Sequence, residues 1–344
     1  MQAIEFKAAG SPASAQVQFV TQRAQPQPSP GRALVRTLAS ALNHLDLWVA
    51  RGLPGIETQW PTVGGSDGVG VVEAVGPGVD PSWIGKRVML NAAIMREQPA
   101  LPGRAPAGED IWMIGEHEPG THAAYFTAPA HNLLDIGAAD PIKAAAFGLT
   151  HLTAWRMMVT RGRLAPGMTV LIPGIGGGVA LAALGIARHY GCTTVVTSRH
   201  AAKLERAKAL GATHAVLDDG TDWSRAVRKL NSGRGVDLVV ESVGKAVHLS
   251  CIKSMARGAC LVTCGCTTGP DPATDLARVF WNQLSIIGST MGTMDEFRQV
   301  VALFQSGALS PVVDTVYRPQ QALEAIQRLE AGEQFGKLVF DWQQ

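Results

Sequence analysis

The stretch that most constrains the fold is residues 168–208. Residues 169–172 (TVLI) are a short apolar run, 173–178 (PGIGGG) a glycine-rich turn, 179–190 (VALAALGIARHY) a segment of helical spacing, and 193–197 (TTVVT) a second apolar run. Strand, turn, helix and strand in this order make one βαβ unit. Gly174 permits the tight turn. Gly177 and Gly178 remove side chains where a phosphate could approach the N–H groups that open the helix, with Val179 next in line. Ala180 stands where G-x-G-x-x-G would place its closing glycine, so the motif is imperfect. A glycine cluster alone also fits a flexible loop. The strand before it and the amphipathic helix after it favour a dinucleotide site.

The 344 residues suffice for about two domains, each with its own core. The formal charge of +2 and the lack of any Lys/Arg-rich run speak against a nucleic-acid partner. No apolar run reaches the roughly 18 residues of a membrane span. The N-terminal MQAIEFKAAG lacks the order of a signal peptide. Five cysteines, an odd number, fit reduced thiols in the cytoplasm better than a disulfide framework. A cytoplasmic protein is expected.

Before residue 138 the pattern is of many short strands and few helices. Residues 3–6, 17–21, 33–39, 69–75, 86–90, 125–128 and 132–135 read as strands, 43–51 as a helix, and 92–120 as a long loop rich in Pro, Gly and charge. This is a β-rich, partly barrel-like domain. Its motifs, NHLDLW at 43–48, GGSDGVGVVEAVGPGV at 64–79, IGKRV at 84–88 and GTHAAYFTAP at 120–129, together with AAAFGLTHLTAW at 144–155 and FGKLVF at 335–340, resemble the medium-chain dehydrogenase/reductase superfamily. The resemblance spans nearly the whole chain. It implies an α/β protein with a GroES-like β-rich catalytic domain (1–137 and 291–344) and a Rossmann domain with a doubly wound parallel sheet (138–290). It also implies an active site in the cleft between them.

Zinc alcohol dehydrogenases of that superfamily hold a catalytic zinc through Cys, His and Cys. The matching positions here are Asn43, Ser66 and Leu149. Zinc needs three N, S or O donors and an open position, and a leucine side chain is no donor. The lobe that binds structural zinc in those enzymes carries four cysteines, and residues 91–120 have none. All five cysteines (192, 251, 260, 264, 266) lie in the second half; Cys260, Cys264 and Cys266 match no standard zinc spacing and are expected to be buried free thiols. No metal is expected. Asn43 with the Gly65–Ser66–Asp67 tripeptide resembles the zinc-independent quinone oxidoreductase branch, which includes zeta-crystallin. That branch often carries a tyrosine five residues after the Asn. This chain has Trp48 there, which cannot donate a proton in that role.

In the second half, Asp140 and Pro141 open a helix over 141–159, with a break expected near Gly148. By resemblance Thr153 lies against the nicotinamide, although a threonine bonded to its own helix backbone fits equally well. His151 is expected to face solvent. NAD-preferring relatives place an acidic residue at the end of the second βαβ strand. Here that end holds Ser198 followed by Arg199, with Lys203 one turn on, and these would accept a 2′-phosphate that a carboxylate would repel. NADP(H) is therefore expected over NAD(H). The resemblance also places His44 near the cofactor pyrophosphate. It puts Ser242 and Gly244 at one cofactor rim, Cys264 and Gly265 at a second, and Phe335 and Lys337 on the cofactor side. Helices are expected over 219–231 and 294–306.

The resulting expectation is a zinc-free, NADPH-dependent oxidoreductase acting on a quinone, enone or related activated carbonyl. Asn43 is the first candidate to stabilise the oxyanion, Asp46 and Asp67 to orient it, and Tyr125 to donate a proton, unless that ring is packing. The alternatives are an alcohol dehydrogenase or carbonyl reductase of the same superfamily and, in another class, an NADPH-binding sensor or structural protein. A small-molecule substrate and a homodimer through the Rossmann sheet edge are expected.

Overall fold

Strand β3 (Arg32–Ala41) organises the N-terminal half, because ten residues alternate long enough to pair on both edges. One edge pairs with β5 (Asp67–Val75), and the other is shared by β9 (Tyr125–Pro129) and the last strand, β18 (Lys337–Asp341). The computed structural model describes residues 1–96 and 110–343. The elements before residue 140 are β1 (Ala3–Phe6), β2 (Val17–Val20), β3, α1 (His44–Arg51), β4 (Thr62–Val63), β5, β6 (Arg87–Leu90), β7 (Ala93–Arg96), β8 (Asp110–Met113), β9 and β10 (Leu133–Asp135). Strands β2-β1-β4 form a small sheet, and β10-β6-β5-β3-β18-β17 a larger one that β9 joins through β3. β7 and β8 pair antiparallel, so the expected loop at 92–120 contains a hairpin, and its part 97–109 lies outside the described residues.

α2 (Pro141–Trp155) follows, with Asp140 Oδ1 accepting from Ile142 N and Lys143 N at 2.8 and 3.0 Å. The helix does not break at Gly148, contrary to expectation, and a six-residue π-helical stretch, Arg156–Arg161, continues it. Next come β11 (Thr169–Ile172), α3 (Gly178–His189), β12 (Thr193–Ser198), α4 (Ala201–Ala209), β13 (His214–Leu217), α5 (Ser224–Leu230), β14 (Val236–Glu241), α6 (Lys245–Ser254), β15 (Met255–Thr263), α7 (Leu276–Trp281) and β16 (Ser285–Gly288). These strands form one sheet, ordered β13-β12-β11-β14-β15-β16, with every neighbour parallel. The order reverses at β11, the strand that leads into the glycine turn, which is where open α/β sheets bind ligands. α5 is shorter than the expected 219–231. Asp219 and Asp222 instead fold Asx turns onto Thr221 N and Ser224 N, each at 3.0 Å, which delays the helix.

The chain ends with α8 (Met294–Gln305), β17 (Val313–Tyr317), α9 (Ala322–Ala331) and β18. Two compact units result. The first holds Met1–Leu149, Thr293–Val301 and Val313–Gln344, the second Thr150–Gly292 and Ala302–Val312. The first core gathers Ile4, Phe6, Leu47, Ile326, Leu338 and Phe340; the second gathers Leu171, Val195, Val227, Val239, Ile252 and Leu261. No described helix is long and apolar enough to cross a membrane.

Candidate active site

In the first unit, β3 ends at Ala41, two residues before α1, and the second of these, Asn43, caps the helix. Asp46 Oδ2 accepts from Asn43 N at 2.7 Å, the N-x-x-D capping arrangement. The Asn43 side chain is thereby left for another task. Its Oδ1 accepts from Lys337 Nζ at 2.6 Å, and its Nδ2 donates to Asp67 Oδ2 at 2.9 Å. Lys337 Nζ also donates to Asp67 Oδ2 at 2.9 Å. Asp67 Oδ1 accepts from Leu149 N at 2.7 Å. A Cβ at Gly148 would stand 2.7 Å from Asp67 Oδ1, so glycine inside α2 leaves room for the carboxylate. All three side chains are buried: Asn43 is 6 % exposed, Asp67 1 % and Lys337 4 %.

A second layer holds this cluster. Asp46 Oδ1 accepts from Gly65 N at 2.8 Å and lies 3.5 Å from His122 Nε2. Gly65 has φ +101°, and a Cβ there would meet His122 Nδ1 at 2.7 Å, so only glycine admits the ring this close. Trp342 Nε1 donates to Ser40 Oγ at 2.9 Å, and Ser40 Oγ is 2.8 Å from His122 Nδ1. Indole N–H can only donate. With the indole donating to Ser40, Ser40 donates to Nδ1, and Nε2 is turned towards Asp46 without completing a hydrogen bond. Burial opposes ionisation of Asp46, but His122 and the N–H groups of Asn43 and Gly65 hold its carboxyl below the ordinary aspartate range.

Asn43, Asp46 and Asp67 are thus brought together as the sequence suggested, and Lys337 joins them. Lys337 was expected on the cofactor side; its ammonium is instead spent on Asn43 and Asp67, because β18 pairs with the end of β3. Phe335, also expected on the cofactor side, is 1 % exposed. Tyr125 does not join the cluster. It faces Arg36 in the β9–β3 register, and burial and Glu73 raise its phenol above the usual value, making it a poorer acid. His44 lies at the start of α1 with its ring edge-on to Trp48 at 5.2 Å, and burial, then Arg51, lowers its pKa.

In the second unit the glycine turn leads from β11 into α3. Gly174 has φ +67°, and a Cβ there would lie 2.7 Å from Val243 Cγ2. No side chain caps α3, and a Cβ on Gly177 would meet nothing within 4 Å. Ile175 N donates to Thr197 O at 2.8 Å, yet the buried Thr197 hydroxyl has no partner among the described residues. The Ser289 hydroxyl, just past β16, is likewise buried and unpaired among them. These features at the carboxyl edge of the sheet fit a dinucleotide. Ser198 Oγ accepts from His200 N at 3.1 Å, Arg199 is exposed, and Lys203 is half-buried on α4.

The two expected rims are tied to each other. Thr268 N and Oγ1 donate to Val243 O at 2.8 and 2.7 Å, and Cys264 N to Glu241 O at 3.1 Å. Ser242 and Gly265 are half-buried within these loops, and Gly244 is buried. The sequence reading missed Glu241, which ends β14. Its buried carboxylate accepts from Val243 N, from Gly244 N at 2.6 Å and from Thr263 Oγ1 at 3.2 Å. Burial nevertheless raises its pKa. Burial and Glu241 push the Cys264 thiol up to about 12, so it is inert. Contrary to the expectation of buried thiols, Cys260 and Cys264 are half-buried and Cys266 is exposed; Cys192 and Cys251 are buried. Thr153 Oγ1 donates to Met291 Sδ at 3.8 Å rather than to its own helix. His151 is buried, not solvent-facing, because α2 is covered on nearly every side.

A β-rich unit with a buried polar cluster and a second unit with a six-stranded parallel sheet and a glycine turn at its switch point define a dehydrogenase/reductase of two units. Family comparison agrees. Residues 29–138 match the alcohol dehydrogenase GroES-like domain and 178–306 the zinc-binding dehydrogenase domain. A zinc-type alcohol dehydrogenase-like protein of Schizosaccharomyces pombe is 30 % identical over 90 % of this chain and 91 % of its own. The crystal structure of an NAD-dependent alcohol dehydrogenase is similar at TM-score 0.89 and 36 % identity, covering 99 % of both chains. A 2-octenoyl-CoA carboxylase reductase, solved with NADP and 2-octenoyl-CoA, is similar at TM-score 0.87 and 25 % identity over 98 % of this chain and 87 % of its own. The chain belongs to the medium-chain dehydrogenase/reductase superfamily and is an oxidoreductase of that superfamily.

The zinc that one matching domain is named for does not fit the residues present. Asn43 is committed to Lys337 and Asp67, Leu149 offers a hydrocarbon, and an ammonium stands 2.6 Å from Asn43 Oδ1. Among the described residues no group of three His, Cys, Asp or Glu side chains could hold a metal ion.

Proposed function

We propose that this chain is a zinc-independent, NADPH-dependent oxidoreductase whose substrate is a quinone, an enone or a related activated carbonyl. The observation that carries the reading is the Asn43–Asp67–Lys337 cluster, which puts a fixed ammonium and its counter-ion where a metal-dependent enzyme needs free ligands. Conjugated acceptors need less electrophilic assistance than simple ketones, so a site without a divalent Lewis acid suits them. The enoyl thioester bound to a structural relative supports the same class.

Bound NADPH would supply the hydride. The glycine turn and the first N–H groups of α3 would hold its pyrophosphate. Exposed Arg199, next to the serine that ends β12, would take the 2′-phosphate. The relatives divide on this point, one being NAD-dependent and one solved with NADP. We rest the preference on this chain's own strand end, which lacks a carboxylate. Water would supply the proton that completes reduction.

The 36 % identical NAD-dependent alcohol dehydrogenase favours a second reading, an alcohol dehydrogenase. Turnover decides between them. The assay compares NADPH with NADH on 9,10-phenanthrenequinone and a simple enone, with and without a chelator, and tests alcohol oxidation in parallel. NADPH-preferring, chelator-insensitive reduction supports the proposal. Alcohol oxidation abolished by chelator overturns it, and activity with NADH alone overturns the cofactor assignment.

The protein is further proposed to form a homodimer through β16. This strand ends the parallel sheet. Leu276, Phe280 and Trp281 of the neighbouring α7 are each 71 % exposed, as an interface with a second copy would require.

A further inference from the structure

Among the described residues of the second unit, Glu241 is the one buried carboxylate. It is 2 % exposed, and none of the described cations pairs with it. A buried charge without a counter-ion is costly, so a fold that keeps such a group either uses its charge or neutralises it. The titratable groups that face Glu241 are two thiols, Cys251 of α6 and Cys264 after β15, with Asp218 beyond Cys251. Neither thiol brings a positive charge.

Its two oxygens clasp separate loops. Oε1 accepts from Val243 N and from Gly244 N at 2.6 Å, and Oε2 accepts from Thr263 Oγ1 at 3.2 Å. One carboxyl thus holds the ends of β14 and β15. Gly244 has φ +88°, and a Cβ there would lie 2.7 Å from Gly269 O and 2.8 Å from Cys266 Cα, so the two loops meet backbone to backbone. On the other side Val243 leans on the glycine turn through its Cγ2, beside Gly174. Contacts therefore run from the carboxyl to the turn that would cradle a pyrophosphate, and all of them lie inside the second unit.

We propose that Glu241 is a positioning residue for the dinucleotide: it holds the Val243–Gly244 rim against the glycine turn, and the charge of the bound pyrophosphate draws a proton from solvent onto its carboxyl. The inference rests on the dinucleotide site described above and on no choice of substrate. An anion at the carboxyl edge of the sheet repels the carboxylate and leaves the neutral acid undisturbed. Burial already acts in the same direction. Protonation reverses one hydrogen bond only. Oε1 keeps Val243 N and Gly244 N, while the new Oε2–H donates to Thr263 Oγ1, from which Oε2 had accepted. The rim therefore keeps its shape as the charge is lost. The protonated protein binds the cofactor more tightly, so its Kd rises as pH rises through the titration of this carboxyl.

The test measures NADPH binding by isothermal titration calorimetry from about pH 5 to about pH 8, in buffers of different ionisation enthalpy, for the wild type and Glu241→Gln. The wild type should take up part of a proton on binding, and its Kd should rise about tenfold across the range. Glu241→Gln should bind without that uptake and with a flatter Kd. Titration of the cofactor's 2′-phosphate and of the exposed His200 is common to both proteins and cancels in the comparison. NADH carries the same pyrophosphate and should show the same difference between wild type and variant. Equal uptake and equal slopes overturn the role. A difference seen with NADPH but not with bound NADH overturns it too, since it would lie with the 2′-phosphate. Thr263→Val serves if Glu241→Gln does not fold. It keeps the carboxyl but removes a donor that favours the charged form, so the Kd curve should move to higher pH, and an unmoved curve overturns the role. A wild type that binds neither nucleotide overturns the dinucleotide reading and this inference with it. Binding with proton uptake but no reduction of quinone or enone removes the substrate reading alone.

Discussion

At the residue scale, the energetics centre on a buried ion pair. Lys337 and Asp67 are nearly inaccessible, so neither charge can fall back on water when the other is removed. Lys337→Met should destabilise the fold by about 3–5 kcal/mol, because it strands a buried carboxylate and takes the donor from Asn43. Lys337→Met combined with Asp67→Asn should recover much of that loss, since no net charge is then left behind. Denaturant unfolding of the two variants checks this, and a double variant no more stable than the single one would show that packing, not charge, dominates. Asp46 adds a pH dependence. Its folded pKa lies below the reference of 3.8, so its stabilisation is complete above that value and is lost as pH falls through the lower folded one. Asp46→Asn should therefore be less stable than the wild type at pH 7, and the gap should close below about pH 4. A gap that stays constant with pH would mean that Asp46 acts only as a neutral cap.

At the element scale, much was visible in the pattern of residues. The βαβ unit at 168–208, the N-cap at Asp140 and the capping arrangement of Asn43 and Asp46 all follow from local spacing, because strands, helices and caps are short-range affairs. The failures have physical causes too. Gly148 looks like a helix breaker, but in α2 it makes room for Asp67 Oδ1, and burial overrides its low propensity. The end of β14 gives another prediction. Glu241 has a raised folded pKa, so the folded state binds its proton more tightly than the unfolded chain does. Stability should fall as pH rises from the reference of 4.5 through the folded value. Glu241→Gln can accept the same two backbone N–H groups without charge, so its melting temperature should lack this decline. An identical pH profile in wild type and variant would show that Glu241 is solvated well enough to ionise freely.

At the scale of the whole molecule, the parallel sheet ends in a strand with a free edge and an apolar helix beside it. If a second copy covers them, Phe280→Glu with Trp281→Glu should convert the dimer to a monomer in light scattering, with the far-UV circular dichroism unchanged. A wild type that is already monomeric at micromolar concentration would remove this interface. The exposed Arg199 belongs to the same scale, because it matters only where the sheet presents a cofactor. Arg199→Ala should raise the KM for NADPH about tenfold, the loss of one charge-assisted contact of about 1.4 kcal/mol, and leave the KM for NADH unchanged. Equal changes for both cofactors would show that Arg199 does not distinguish them.

The sequence by itself determined the class of fold, the glycine turn, the mismatch with zinc ligation at Asn43, Ser66 and Leu149, and the membership of Asn43, Asp46 and Asp67 in one site. The glycine turn rests on residue type at fixed local spacing; the zinc mismatch and the grouping of Asn43, Asp46 and Asp67 rest on the resemblance to the superfamily's motifs. Only the tertiary structure decided which groups are satisfied. Lys337 is 294 residues from Asn43 in the chain, and only the pairing of β18 with β3 brings its ammonium there. His122, Ser40 and Trp342 come from three separate segments and carry no shared motif. Hydrogen-bond satisfaction is a property of packing at long range, and local sequence does not encode it.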